Sequence, residues 1–337
     1  MINIKLPQLL CRIADISVDS YQLNIVGTVN DILIELCNDN DIDQEHLFDR
    51  ANSIKDHYLI SVDGQLCDET QRVEAGASIE LILGVAGGIS LSENEKLRYA
   101  RHLSLPDFGK SGQLKLKNAS VLIVGVGGLG SPIAMYLAAA GVGTIGLLDS
   151  DVVDTSNLQR QIIHSESRVG MSKTQSAQSF ISNLNSNVNI TEHNVFLSDE
   201  NAEALLNDYD VVVDACDNYE TRDIINRICA KHFIPLVHGG IAEYEGHVST
   251  FNYHKGPCYR CLFTSLPDSS YEPKNSGVPG VLGVLPGVVG ALQATEVIKV
   301  IADLSGVLSG RLVKYNALEA SFDEFKFAAR EGCQCNK

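Results

Sequence analysis

The sequence predicts a doubly wound, Rossmann-like α/β sheet preceded by a small α+β unit. Three observations carry this. Strand-like and helix-like segments alternate from about Ser120 to Ala320, which calls for a mostly parallel sheet covered by helices on both faces. A glycine-rich turn, Gly125 to Gly130, follows an apolar strand and opens a helix. The first 88 residues carry short alternating strands around one helix and end in Gly87-Gly88.

In chain order, Ile2 to Leu6 and Tyr21 to Ile25 alternate apolar and polar residues and predict two strands. Val29 to Asn38 places Ile32, Leu33, Leu36 and Cys37 at helical spacing. Tyr58 to Val62, an Asp63-Gly64 turn and Ser78 to Leu83 complete a mixed sheet on that helix. From Leu91 to Lys117 the chain is helical, starting at a Ser92–Glu95 capping box and interrupted at Pro106, Gly109 and Gly112. Strands are then expected at Ser120–Val124, Thr144–Leu148, Asn189–Val195, Val211–Val213 and Leu236–Val237.

Composition narrows the function. The 337 residues suffice for two domains, and 42 acidic against 26 basic residues give a formal net charge of −16. Such a surface repels nucleic acid and anionic lipid, so neither nucleic acid nor a membrane is expected as a partner. Pro279, Pro286 and several glycines break the longest apolar stretch, and no export signal is visible at the N-terminus. Nine cysteines without such a signal suit a reducing compartment, and the expected location is the cytoplasm.

The glycine turn lets a backbone approach phosphate at the positive end of a helix, and Asp149, after Leu147-Leu148, is placed to accept ribose hydroxyls. An NAD site shares these features, so an NAD-dependent oxidoreductase stays open at this point. Asn157, Arg160 and Lys173 follow, two cations and an amide that suit a triphosphate better than a nicotinamide ring. Taken singly, Arg160 and Lys173 are also compatible with solvated surface charges.

From about Ser92 to the C-terminus these residues resemble the ThiF/MoeB/HesA family, the bacterial relatives of ubiquitin-activating enzymes. The resemblance implies ATP-dependent adenylylation of a carrier protein's C-terminal glycine. Gly127 and Gly128 would line the phosphate loop, Asp149 would hold the ribose, and Asn157, Arg160 and Lys173 would neutralise the triphosphate. Asp217 would hold Mg²⁺, a hard cation that takes few protein carboxylates, although a strand-end Asp also caps helices. Arg101, within Arg98-Tyr99-Ala100-Arg101-His102, matches an arginine that the family sends into a partner's site, which implies a homodimer. Because a carboxylate is already nucleophilic, no general base is required, and catalysis is positioning and charge neutralisation.

The N-terminal segment, ending in Val85-Ala86-Gly87-Gly88, is similar to the β-grasp sulfur carriers of the ThiS/MoaD type, relatives of ubiquitin. Paired glycines also make a flexible linker. The expected domains are therefore 1–88, a carrier-like unit, and 89–337, the activating unit. Since Gly88 is followed by Ile89, its carboxylate is locked in a peptide bond. Either a processing protease cuts after Gly88, or the first domain is a docking module and the carrier is a separate chain.

Cys258 and Cys261 form a C-x-x-C pair, and Cys333 and Cys335 a C-x-C pair. Four thiolates brought together make a closed, structural Zn²⁺ site, while a redox pair is the competing reading. The family's second pair is usually C-x-x-C, so this chain departs from it by one spacer. Ser276 stands about where some members carry a further cysteine, so the adenylate is expected to be released or handed off, with a sulfurtransferase among the expected partners. Cys216 and Cys229 are expected to be buried small hydrophobes, and Cys11, Cys37 and Cys67 receive no role.

Overall fold

The computed structural model describes residues 1–7, 10–11, 19–40, 42–48, 53–55, 58–83, 90–264 and 280–333. Gly87, Gly88, Ser276 and Cys335 lie outside them. The chain forms two compact units, 1–114 and 115–337. The division thus falls later than the expected Gly88, because the helices Glu93–Arg98 and Ala100–Leu103 group with the first unit.

In the first unit, β1 (Ile2–Lys5) buries Ile2 and Ile4 and exposes Asn3 and Lys5. It pairs antiparallel with β2 (Ser20–Leu23). A short ribbon pairs β3 (Gly27–Thr28) with β6 (Arg72–Val73). Strands β4 (Tyr58–Val62), β5 (Gln65–Cys67) and β7 (Ser78–Leu83) complete a sheet of order β2-β1-β7-β4-β5. Only β1 and β7 run parallel in it; its other pairings are antiparallel.

The helix Val29–Asp39 begins at Thr28, whose hydroxyl accepts from the Asp31 amide while the Asp31 carboxylate accepts from the Thr28 amide. This reciprocal cap satisfies two orphan donors of the first turn. Val29, Ile32, Leu33 and Leu36 face inward and share a core with Ile2, Ile4, Ile79 and Leu81. The Ser92–Glu95 box starts the helix Glu93–Arg98 as the sequence predicts.

The second unit is an eight-stranded sheet of order β10-β9-β8-β11-β12-β13-β14-β15. Five strands are parallel: β8 (Ser120–Val124), β9 (Thr144–Leu148), β10 (Asn189–His193), β11 (Val211–Asp214) and β12 (Leu236–Ala242). β8 and β11 are buried along almost their whole length, as central strands covered on both faces must be. β8 sits between β9 and β11, so the strand order reverses beside it, and open α/β sheets bind ligands past the C-terminal ends of the strands at such a point.

The expected alternation does not continue to Ala320. After β12 the sheet turns antiparallel through β13 (Glu245–Phe251), β14 (Arg311–Asn316) and β15 (Ser321–Lys326). The long helix Leu285–Ala302 lies between β13 and β14 in sequence. Among the described residues it is the one helix long and apolar enough to cross a membrane. Its polar groups are nevertheless bonded to the sheet: Gln293 Nε2 donates to the Asp214 carbonyl at 2.8 Å, and the Glu296 carboxylate accepts from Thr250 Oγ1 and the Leu308 amide. These buried bonds mark it as a core helix of the α/β sheet.

Candidate active site

The turn after β8 contains two kinds of glycine. Gly125 holds φ +95°, and a Cβ there would stand 2.7 Å from the Ala215 carbonyl oxygen. At Gly130 a Cβ would stand 2.0 Å from the Gly125 carbonyl oxygen, so strand and helix could not close on each other. Protein packing demands both glycines. Gly127 and Gly128 differ, because a Cβ there meets only side chains, Gln161 at 3.4 Å and Pro286 at 3.3 Å respectively. The fold itself makes little demand for glycine at these two positions, so their bareness is available to a ligand. The helix Gly130–Ala140 that follows has no side-chain cap, but its Ser131 and Ile133 amides already donate to the Gly127 and Leu129 carbonyls and Pro132 has no N–H, so an anion here is left to the amides of the turn itself and the positive end of the helix.

Asp149, one residue past β9, is tied to this turn. Its Oδ2 accepts from the Val126 amide at 2.8 Å and its Oδ1 from the Asp151 amide at 2.9 Å. Lys173, at the start of the helix Lys173–Leu184, is buried and donates to Asp151 Oδ2 at 2.7 Å, with Asp149 Oδ2 at 3.9 Å. Lys173 is therefore held by carboxylates rather than solvated, which removes the surface-charge reading for it.

His164, which the sequence reading missed, completes the frame. It is buried, with Nε2 3.0 Å from the Val126 carbonyl and Nδ1 2.8 Å from Ser176 Oγ. Burial pushes its pKa down, so the ring is neutral and spans the turn and the Lys173 helix.

Arg160 and Asn157 lie on the short 3-10 segment Thr155–Asn157 and its continuation. Arg160 Cγ comes 3.8 Å from the Cβ position of Gly128, and its guanidinium donates to the Ser156 carbonyl. Asn157 is partly exposed, and its carbonyl accepts from the Arg160 and Gln161 amides. Gln161 is buried against Gly127, with its Oε1 unpartnered among the described residues.

Asp217 follows β11, two residues beyond Ala215, whose carbonyl packs on Gly125. It is exposed and makes no hydrogen bond or ion pair among the described residues. The cap of the next helix, Tyr219–His232, is Asn218, whose Oδ1 accepts from the Thr221 amide at 2.8 Å. The capping role suggested for Asp217 thus belongs to its neighbour, and a free carboxylate remains at the strand end. A free carboxylate at the mouth of a phosphate turn fits the one or two carboxylates that Mg²⁺ takes alongside water and phosphate.

Beneath Asp217 lies a network that the sequence reading did not find. Asp214 is buried: its Oδ2 accepts from His238 Nδ1 at 2.6 Å and is ion-paired with Arg222 Nε at 3.4 Å, and its Oδ1 accepts from the Cys216 amide and thiol. Burial works against the charge, but Arg222 and His238 outweigh it and hold the Asp214 carboxyl at about 2. His238 Nε2 in turn stands 3.1 Å from His247 Nε2. Burial pushes both imidazoles down, His247 to about 3. Cys216 is buried and its thiol is pushed well up, first by burial and then by Asp214, so it is no nucleophile. Cys229 is likewise buried.

Away from the turn, Cys258, Cys261 and Cys333 bring their sulfurs within 4.8 Å of one another. The Cys258 sulfur lies 3.8 Å from that of Cys261 and 3.5 Å from that of Cys333. Sulfurs on a tetrahedron with Zn–S of about 2.3 Å are about 3.8 Å apart, so the three thiols fit Zn²⁺. The Arg330 amide also donates to the Cys261 sulfur, as suits a thiolate. Arg101 lies in the first unit, exposed on the helix Ala100–Leu103.

Residues 99–337 match the ThiF family model. Curated relatives include the adenylyltransferase and sulfurtransferase MOCS3 of Anopheles gambiae, 48% identical over 241 residues, which are 72% of this chain and 54% of that protein. The Dictyostelium discoideum protein of the same name is 46% identical over 246 residues, 72% of this chain and 58% of that one. The chain thus spans about half the length of the curated relatives it matches. Among solved structures, E. coli MccB with ATP superposes with a TM-score of 0.64 at 26% identity, covering 71% of this chain and 74% of that one. E. coli MccB with MccA-N7isoASN gives 0.65 at 26% identity, covering 72% and 75%. With the glycine turn, Asp149, Lys173 and this match over most of its length, the chain belongs to the ThiF family.

Proposed function

We propose that the chain adenylylates the C-terminal glycine of a ubiquitin-like or sulfur-carrier protein with ATP. One observation carries the reading: Gly127 and Gly128 are bare where packing asks little for glycine, beside Asp149, Lys173 and an unpaired Asp217. The MOCS3 relatives, which are named adenylyltransferases and sulfurtransferases, and an MccB structure that contains ATP support it.

In this reading a terminal carboxylate oxygen attacks the α-phosphorus of ATP, the bond to the bridging oxygen breaks, and pyrophosphate leaves with the electron pair. Asp149 holds the ribose, the glycine turn at the positive end of the following helix holds phosphate oxygens, and Arg160, Lys173 and Asn157 offset their charge. Asp217 would hold Mg²⁺, which when bound spreads the charge of the phosphates. Arg101 is assigned to a second copy in a homodimer. Zn²⁺ on Cys258, Cys261, Cys333 and Cys335 is structural.

Within 1–88, the order β2-β1-β7-β4-β5, with two parallel strands and the helix Val29–Asp39 directly after β3, supports a β-grasp, ubiquitin-like reading. The carrier is then either the segment 1–88, freed by a protease after Gly88, or a separate chain for which that segment is a docking module, with a sulfurtransferase taking the adenylate onward. ATP–pyrophosphate exchange tests the activity, using a carrier truncated at Gly88 and candidate free carriers. The expected result is exchange that depends on a carrier ending in Gly-Gly and is lost in Asp217→Ala. Exchange unchanged in Asp217→Ala removes Asp217 from the mechanism, and no exchange with any carrier refutes the activity. Intact mass after expression in the native host separates the two carrier sources.

A further inference from the structure

The ends of the parallel strands away from the glycine turn hold a second concavity. A cavity of about 710 Å³ opens where β8, β11 and β12 begin, against Ala119, Val211 and Pro235. Its volume falls within the range of small-molecule sites, about 300–1,000 Å³. The site described above lies past the C-terminal ends of the same strands, so the two are separated by the length of the sheet.

Asn252, at the end of β13, lines the cavity and is only 7% exposed. Its side-chain Nδ2 has no hydrogen-bond partner among the described residues. Folded proteins rarely leave such a donor unpaired, since burying it forfeits its bonds to water. Its backbone is unusual as well: Asn252, His254 and Lys255 hold φ of 57°, 48° and 61°, a left-handed conformation that side chains other than glycine seldom adopt. The loop thus holds an unpaired amide at the cavity and turns sharply around it.

The charged groups around the cavity favour one kind of ligand. Lys115 and Lys255 both line it. Lys115 gives one proton to the Ala302 carbonyl at 3.2 Å and keeps two to donate. The one acid that lines it among the described residues, Asp210, keeps its negative charge, with its Oδ2 held by the amide and the hydroxyl of Ser120, each at 2.8 Å. Tyr253 donates its hydroxyl to Asp303. Two ammonium groups against one carboxylate therefore leave net positive charge at the cavity in a chain whose net charge is −16. Phe233, 63% exposed, and Val300 add an apolar wall.

We propose that this cavity binds a small amphipathic carboxylate. The carboxylate oxygens accept from Asn252 Nδ2 and from the ammonium groups of Lys115 and Lys255, and the apolar body lies against Phe233, Val211 and Val300. The proposal does not rest on the adenylylation reading, because it uses none of the residues assigned there.

The probe is 4-phenylbutyrate, titrated into the full chain while the side-chain amide signals of asparagine are followed by NMR. The Asn252 signals are identified by their disappearance in Asn252→Asp. The expected result is a saturable shift of the Asn252 amide, with binding at least tenfold weaker for the neutral 4-phenylbutyramide and at least tenfold weaker in Asn252→Asp. Lys255→Glu, at an exposed position that the fold tolerates, is expected to weaken binding in the same direction and serves if Asn252→Asp fails to fold. No shift at Asn252, equal affinity for acid and amide, unchanged affinity in Lys255→Glu, or displacement of the probe by ATP would each overturn the proposal.

Discussion

The Val126 amide donates to the Asp149 carboxylate at 2.8 Å, so the residue assigned to the ribose also fixes the glycine turn. Through the Val126 carbonyl, His164 holds the next peptide group of the same turn. Turn, acid and Lys173 helix therefore move as one piece. Asp149→Ala leaves the Val126 N–H unpaired and removes one of the two carboxylates beside Lys173. Stability is expected to fall by about 1–3 kcal/mol, and ATP affinity by at least tenfold. Denaturant titration and calorimetry check the two effects separately.

The two kinds of glycine in the turn make opposite predictions. Gly130→Ala puts a methyl group 2.0 Å from a carbonyl oxygen, and the fold is expected to lose about 1–3 kcal/mol or more. Gly127→Ala meets only the Gln161 side chain at ordinary contact distance and is expected to change stability by less than about 1 kcal/mol, while weakening ATP binding at least tenfold. Thermal melts paired with nucleotide titrations distinguish the variants.

Acid sensitivity follows from the buried imidazoles. His164, His238 and His247 are all held below their ordinary pKa, so the folded chain refuses protons that the unfolded chain accepts below about pH 6.5. Their neutral-state stability is intact above that pH and is lost as pH falls from there toward the folded values, His247 reaching about 3. His247 contributes a slope of about 1.4 kcal/mol per pH unit in this window, and His164 and His238 act in the same direction. Asp214, lowered to about 2, acts in the same direction below about pH 3.8. Stability measured from pH 7 to 4 is expected to decline, and His247→Gln to reduce the slope by about one proton's worth.

The thiol cluster predicts one Zn²⁺ per chain by elemental analysis. Cys261→Ser is expected to lose the metal and to lower the melting temperature, as is strong chelation of the parent. Cys335→Ser tests the fourth ligand: reduced zinc retention is expected, and unchanged retention assigns the fourth position to another group.

Local patterns in the chain made much of this legible. Buried strands such as Ser120–Val124 and Thr144–Leu148 are continuous apolar runs, and their turn residues mark their ends. The antiparallel strands β14 and β15 escaped notice because Arg311–Asn316 is only partly buried and Ser321–Lys326 is mostly exposed, so neither presents a clean apolar face. Asp217 and Lys173 stand in recognisable local motifs. Asp214, His238 and His247 do not, because their meeting depends on strand register: His238 pairs with Asp214 across β11–β12, and His247 with Gly240 across β12–β13. His164 reaches Val126 across 38 residues, with no periodicity to announce it.

The most direct test of the central claim is equilibrium binding of ATP in the presence of Mg²⁺, with NAD as the competitor. The account predicts saturable uptake of ATP that is weakened by Gly127→Ala and Asp149→Ala and left unchanged by NAD. Binding of NAD with no detectable uptake of ATP would contradict it.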